Sequence, residues 1–210
     1  HLVPTIGRIK LSKLRPQDVQ RLLNHKLSEG LSPASVVKLR AVLRRALTVA
    51  VRWDLVPRNV ATLIDPPAVS KTRITPLTPS QIKILLQAVA GHRLEALYTL
   101  AVCTGMRQGE ILGLTWADID LDTGALHIRR ALQNGSFTEL KTERSMRTLP
   151  LAPSVVSALR AHAIRQKQEI QWAGVKPTIP DLVFMSTEGT PLDAANLRRS
   201  FSRVLQRAGL

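Results

Sequence analysis

Cysteine is almost absent from this 210-residue chain. Cys103 alone excludes an internal disulfide and any zinc site built on paired thiolates. Lying in the apolar run LAVCTG, it is expected to be a buried core thiol. Aromatic residues are nearly as scarce, three Trp, three Phe and one Tyr, which excludes modules that hold single strands by stacking bases on rings. The one tyrosine, Tyr98, sits in an apolar run and is expected to pack in the core. No stretch approaches the roughly 20 apolar residues of a membrane helix, and no signal-peptide pattern opens the chain. The sequence therefore predicts a cytoplasmic protein with no membrane partner. The histidines, at positions 1, 25, 92, 127 and 162, are scattered without ligand spacing, so neither a metal nor another cofactor is implied. Acidic residues are also few: fifteen Asp and Glu face thirty Lys and Arg, a net charge of +15. That excess goes beyond what solubility needs and makes a polyanion the default partner. With so few rings, double-stranded DNA fits better than a single strand.

What is present divides the chain in two. Asp65, Pro66 and Pro67 open a stretch without helical or strand period that runs to Pro76, and it reads as a linker over residues 66–76. Residues 1–65 carry twelve basic against four acidic side chains, and the remaining 145 carry eighteen against eleven, so positive charge is densest at the start. Pro16 begins a predicted helix with Val19, Leu22, Leu23 and Leu27 on one face, closed by Gly30. A second runs from Ser32 and Pro33 to about Trp53. Its apolar stripe is Val36, Leu39, Leu43, Leu47 and Ala50, while Lys38, Arg45 and Arg52 recur every seventh residue on the other side. That cationic face is a candidate for contacting phosphates.

After the linker, Thr78, Pro79 and Gln81 have the spacing of a capping box, and a helix should follow. Residues 92–104 are nearly all apolar and predict a buried central helix ended by Gly105, with a short helix over 106–113. The period then drops to two, over 125–129, 137–141 and 146–151, which predicts three strands in one small antiparallel sheet. Asn134-Gly135 supplies one turn and residues 143–145 the other, placing Lys141 near the tip of the second hairpin. Helices resume over 153–171 and 193–208, separated by the short apolar segment 181–185. Directly after the glycine-ended helix stands Arg107, with Glu110 three residues on and on the same face. The carboxylate can hold the guanidinium and leave its other donors for a phosphate.

TGMRQGEILGLTWADID, followed by LKTERSMRTLPL, resembles the catalytic domain of the tyrosine recombinase (phage integrase) family. The family's arginine motif is met at Thr104, Gly105, Arg107, Glu110, Leu114, Trp116, Asp118, Ile119 and Asp120. Its lysine motif is met at Lys141, Thr142, Ser145, Arg147, Leu149, Pro150 and Leu151. Residues 1–65 are similar to the family's core-binding domain in the LSKLRPQDVQ segment and in the long helix ending WDLVPRNVA. The resemblance implies a mainly α protein with a small antiparallel β-sheet (α+β). A helical, SAM-like core-binding domain (1–65), the linker (66–76) and a C-terminally incomplete catalytic domain (77–210) would together clamp a DNA duplex. It implies that Arg107 binds the scissile phosphate, that Glu110 braces it, and that Lys141 protonates the leaving 5′ oxygen. Arg144 and Arg147 join Lys38, Arg45 and Arg52 as DNA-binding candidates. Further protomers in a tetrameric synapse on DNA are implied partners.

The family's His-x-x-Arg box, its further His or Trp and its tyrosine nucleophile are not found. Residues 196–210 resemble the helix leading into that box, so the chain reads as a recombinase fragment, bacterial or phage-encoded, without its nucleophile. A non-catalytic, site-occupying DNA-binding protein derived from an integrase is the alternative, and a helix-turn-helix regulator a third reading resting on charge and helix content alone. A missing C-terminal part predicts that Leu197, Phe201, Val204 and Leu205 form a partly bare stripe, and that the portion after the linker unfolds before residues 1–65.

Overall fold

The computed structural model describes residues 1–70, 75–140 and 145–210. It comprises two compact units, His1–Thr75 and Pro76–Leu210.

In the first unit, α1 (Val3–Ile6), α2 (Pro16–Ser28) and α3 (Pro33–Arg52) follow in order, with short 3-10 turns before α2 (Leu11–Lys13) and after α3 (Val60–Thr62). Pro16 and Pro33 occupy first helical positions, where a missing N–H costs nothing. Asp18 accepts the N–H of Arg15 at 3.0 Å, and Ser32 caps α3 through the N–H of Ser35 at 3.3 Å. Val19 and Leu23 of α2 meet Val36, Leu43 and Leu47 of α3 in one core, which Val60, Ala61 and Ile64 close from the chain that follows. That return is pinned by polar bonds. Arg40 donates to the carbonyl of Ile64 at 2.7 Å, and the Asn59 amide donates to the carbonyl of Arg44 at 2.8 Å. Residues 66–70 then run without helix or strand.

The second unit is built around α5 (Glu95–Thr104), which packs against α4 (Pro79–Val89) and α7 (Pro153–Ala173). The capping box at Thr78 forms as its spacing predicts, with Gln81 returning to the Thr78 N–H at 2.8 Å. Gly105 takes the left-handed conformation, φ 62°, that ends α5. Ala96, Leu97, Tyr98 and Leu100 are buried, but Cys103 is exposed, which corrects the expectation of a core thiol. It stands on the last turn, where one side of the helix leaves the core.

Beyond α6 (Gln108–Leu112), the strands are β1 (Ile119–Asp120), β2 (Ala125–Ile128), β3 (Arg130–Gln133), β4 (Ser136–Glu139) and β5 (Arg147–Pro150). The three strands predicted from sequence do not share one sheet. β1, β2 and β5 form an antiparallel sheet in that order, with Leu126 opposite Leu149. β3 and β4 form a separate hairpin turned by Asn134 and Gly135, both at positive φ. Strand β4 pairs with β3 and β5 with β2, so among the described residues the strand predicted over 137–141 does not pair with that predicted over 146–151. The predicted position of Lys141 lies outside the described residues.

Residues 182–185 are buried beside residues 114–116: the N–H of Val183 donates to the carbonyl of Leu114 at 2.9 Å. Helix α8 (Ala194–Arg207) lies against α4, with Leu197 and Val204 buried and Phe201 and Leu205 half-buried. Of the stripe expected to be partly bare, Leu197 and Val204 are covered and Phe201 and Leu205 keep some exposure. Among the described residues, no helix is long and apolar enough to cross a membrane.

Candidate nucleic-acid interface

The left-handed turn at Gly105 and the buried Met106 anchor the chain so that Arg107 falls at the N-cap of α6. Glu110, in the first turn, reaches back. Its Oε2 accepts the Arg107 N–H at 3.1 Å and its Oε1 accepts Nη1 of the same arginine at 2.8 Å. This carboxylate is 2% exposed, whereas the Arg107 side chain is 74% exposed. One edge of the guanidinium is thus fixed by a buried anion. Among the described residues its Nε and Nη2 have no partner, which leaves donors for an incoming anion.

A second guanidinium meets the same carboxylate. Arg147 donates Nη2 to Glu110 Oε2 at 2.8 Å and Nη1 to Oε1 at 3.4 Å. Burial alone would raise the Glu110 carboxyl, but the hydrogen bonds from Arg147 and then Arg107 outweigh it and hold the group below the usual glutamate range. Glu110 is therefore ionised at neutral pH. The cluster of one carboxylate and two guanidinia carries a net +1.

The platform beneath this cluster is tightly built. A Cβ on Gly113 would lie 2.9 Å from backbone atoms of Ala131 and Leu132, so the end of α6 rests directly on β3. Asp118, 1% exposed, accepts from the N–H and hydroxyl of Thr115 at 3.0 and 2.8 Å and from Arg130 at 3.3 Å. Arg130 also lies over the Phe137 ring, 5.4 Å from its centroid. These contacts tie the β3–β4 hairpin to the turn that follows α6.

Of the residues singled out from sequence, the structure brings Arg107, Glu110 and Arg147 together. Lys141 and Arg144 lie outside the described residues. Lys38, Arg45 and Arg52 are all exposed on α3, opposite the buried Val36, Leu43, Leu47 and Ala50. Tyr98 is 3% exposed, its hydroxyl donating to Ser200 at 3.0 Å and its ring 5.4 Å from that of Phe201. One cationic face escaped the sequence reading: Arg198, Arg199, Arg203 and Arg207 are exposed on α8. The signal lies in the sequence, since residues 194–207 contain four arginines and no acidic residue. Among the described residues no group of three or more His, Cys, Asp or Glu is placed to hold a metal.

Residues 76–210 match the family model described as the phage integrase family. An integrase of Streptomyces ambofaciens is 34% identical over 218 residues, covering 99% of this chain and 55% of that protein. A tyrosine recombinase XerC-like protein of Caldanaerobacter subterraneus subsp. tengcongensis is 30% identical, covering 96% of this chain and 57% of the relative. The chain thus spans a little over half the length of these curated relatives. Among solved structures, the Tn1549 transposon integrase in complex with a circular intermediate DNA superposes with a TM-score of 0.81 at 21% identity, over 95% of this chain and 66% of that one. A lambda integrase dimer bound to a core site gives 0.68 at 23% identity, over 99% of this chain and 69% of that one. The family match and these relatives place the chain among the tyrosine recombinases. Within that class, the chain belongs to the phage integrase family.

Proposed function

We propose that this chain is the duplex-gripping and phosphate-binding part of a site-specific DNA recombinase, an integrase that breaks and rejoins strands through a phosphotyrosyl intermediate. The observation that carries the reading is the exposed Arg107 held by a buried, ionised Glu110. A planar guanidinium fixed along one edge offers the other to two phosphate oxygens, and stabilising charge on those oxygens is the main task in phosphoryl transfer. In this reading Lys141 delivers the proton to the leaving 5′ oxygen, and Lys38, Arg45, Arg52 and Arg144 hold the duplex backbone. The arginines of α8 add a further cationic face in the second unit. A neighbouring fold, a lambda integrase, is known as a tetramer bound to a Holliday junction. By analogy, further protomers would join this chain in a tetrameric synapse.

A second reading is a non-catalytic DNA-binding protein that occupies a site; the burial of Tyr98 is compatible with both readings. Both readings predict salt-sensitive duplex binding. Titrating salt against affinity for a fluorescent duplex should give a steep negative log–log slope. Neutralising Lys38, Arg45 and Arg52 should flatten it by up to about one unit for each phosphate that the variant leaves unpaired. Affinity indifferent to salt would count against both. The chain alone should form no covalent adduct with a nicked duplex on a denaturing gel, because Tyr98 is inaccessible. An adduct would restore Tyr98, or another side chain, as a nucleophile.

A further inference from the structure

Arg147 enters the sequence reading only as one more cation for the DNA backbone, yet its guanidinium is committed elsewhere. Besides its two bonds to Glu110, at 2.8 and 3.4 Å, its Nη1 donates to the carbonyl of Ser145 at 3.1 Å. Ser145 is the first described residue after the segment that holds Lys141. One planar group therefore touches both the brace of Arg107 and the backbone of Ser145.

The arrangement has two physical effects. Oε1 of Glu110 receives one guanidinium N–H from each arginine, and Oε2 receives the Arg107 backbone N–H and Nη2 of Arg147. Without Arg147 each oxygen would keep a single donor, both from Arg107, and the carboxylate would be held less firmly in one plane and Arg107 with it. The second effect is on charge. Arg107 and Glu110 alone make a neutral pair, which attracts an anion weakly, and Arg147 restores a net positive charge at short range. An isolated exposed arginine needs neither device. A guanidinium that must meet a phosphate in one orientation needs both.

We infer that Arg147 is a positioning residue, clamping Glu110 and through it Arg107. The inference rests on the reading of Arg107 as a phosphate ligand.

The test uses the full 210-residue chain labelled for NMR of arginine side chains and glutamate carboxyls, with inorganic sulfate as the probe. In the unsubstituted chain, sulfate should shift the Arg107 Nε resonance saturably. Arg147→Gln should weaken that affinity roughly tenfold, the scale of one charged hydrogen bond, and move the Glu110 titration up toward the ordinary range. Arg147→Lys keeps the charge but has one donor group where the guanidinium has two, so it should bind sulfate more weakly than the parent and more tightly than the Gln variant. A merely structural role for Arg147 would move unfolding temperature without moving sulfate affinity. Parental affinity in Arg147→Gln overturns the inference. Should that variant fail to fold, parental affinity in Arg147→Lys overturns it instead. If sulfate leaves Arg107 unmoved in the parent, the phosphate-ligand reading fails, while the Glu110 titration in the variants still decides whether Arg147 clamps the carboxylate.

Discussion

At the scale of single residues, the chemistry concentrates in one buried carboxylate. Glu110 spends its burial on holding two guanidinia, and the direction of its shift sets a pH signature. The folded group titrates below the ordinary 4.5, so on acidification the unfolded chain takes up a proton that the folded chain refuses. Its contribution is complete above that value and is lost as pH falls through the folded group's own titration. Glu110→Gln should remove this acid sensitivity. At about pH 7 it should cost about 1–3 kcal/mol, less than breaking a fully buried pair, because both guanidinia keep contact with water. Urea unfolding of both proteins at about pH 7 and about pH 4 checks it: equal acid sensitivity in the two would show that the clamp is energetically idle. Cys103 is a reminder of what residue type does not decide. Free cysteines favour interiors, yet this one sits on an exposed turn.

Among the elements, the contact of α6 with β3 is the one on which the site depends most. Gly113 has φ −90° and ψ 4°, a conformation open to any residue, so its glycine is required by proximity and not by backbone geometry. Gly113→Ala should therefore destabilise by about 1–3 kcal/mol through overpacking. That outweighs the roughly 0.4–1 kcal/mol that a stiffer unfolded chain returns. A denaturation midpoint at or above the parent's would mean that β3 yields easily. The helices were legible because their signals are local: Pro16, Ser32, Thr78 and Gly105 mark ends by their own chemistry. The sheet was less so. Strand β3 follows β2 after one residue and buries only Leu132 in full, so its period of two was too short to see, and the pairing of β5 with β2 is a long-range choice. The same limit applied at the site. Arg107 and Glu110 are three residues apart and could be paired on paper, whereas Arg147 reaches Glu110 across 37 positions. An apolar run such as LAVCTG carries no record of which side faces out, which is why Cys103 was misplaced.

Across the whole molecule, the two units have cores of unequal size. Among the described residues, eight buried hydrophobics form the first core and twenty-one the second. Smaller cores bury a smaller share of the surface their chain exposes on unfolding. His1–Thr75 should therefore unfold at lower denaturant than Pro76–Leu210, the reverse of the order expected from sequence. Trp53, in the first unit, and Trp116, in the second, report the two transitions separately once the other tryptophans are replaced. A single coincident transition would show that the units unfold as one. Separate cores on one chain also make the connection between them a quantity in its own right. If each unit grips DNA weakly, the bound unit holds the other at an effective concentration fixed by tether length, and overall affinity exceeds that of either unit with no added contact. Lengthening the tether with a Gly-Ser run after Ala68 should then loosen duplex binding gradually, roughly as the −3/2 power of its length. Affinity that ignores the insertion would mean that one unit does the gripping alone. For an enzyme of this family, tether length would then be a dial on residence time at a site, adjustable without touching a residue that meets DNA.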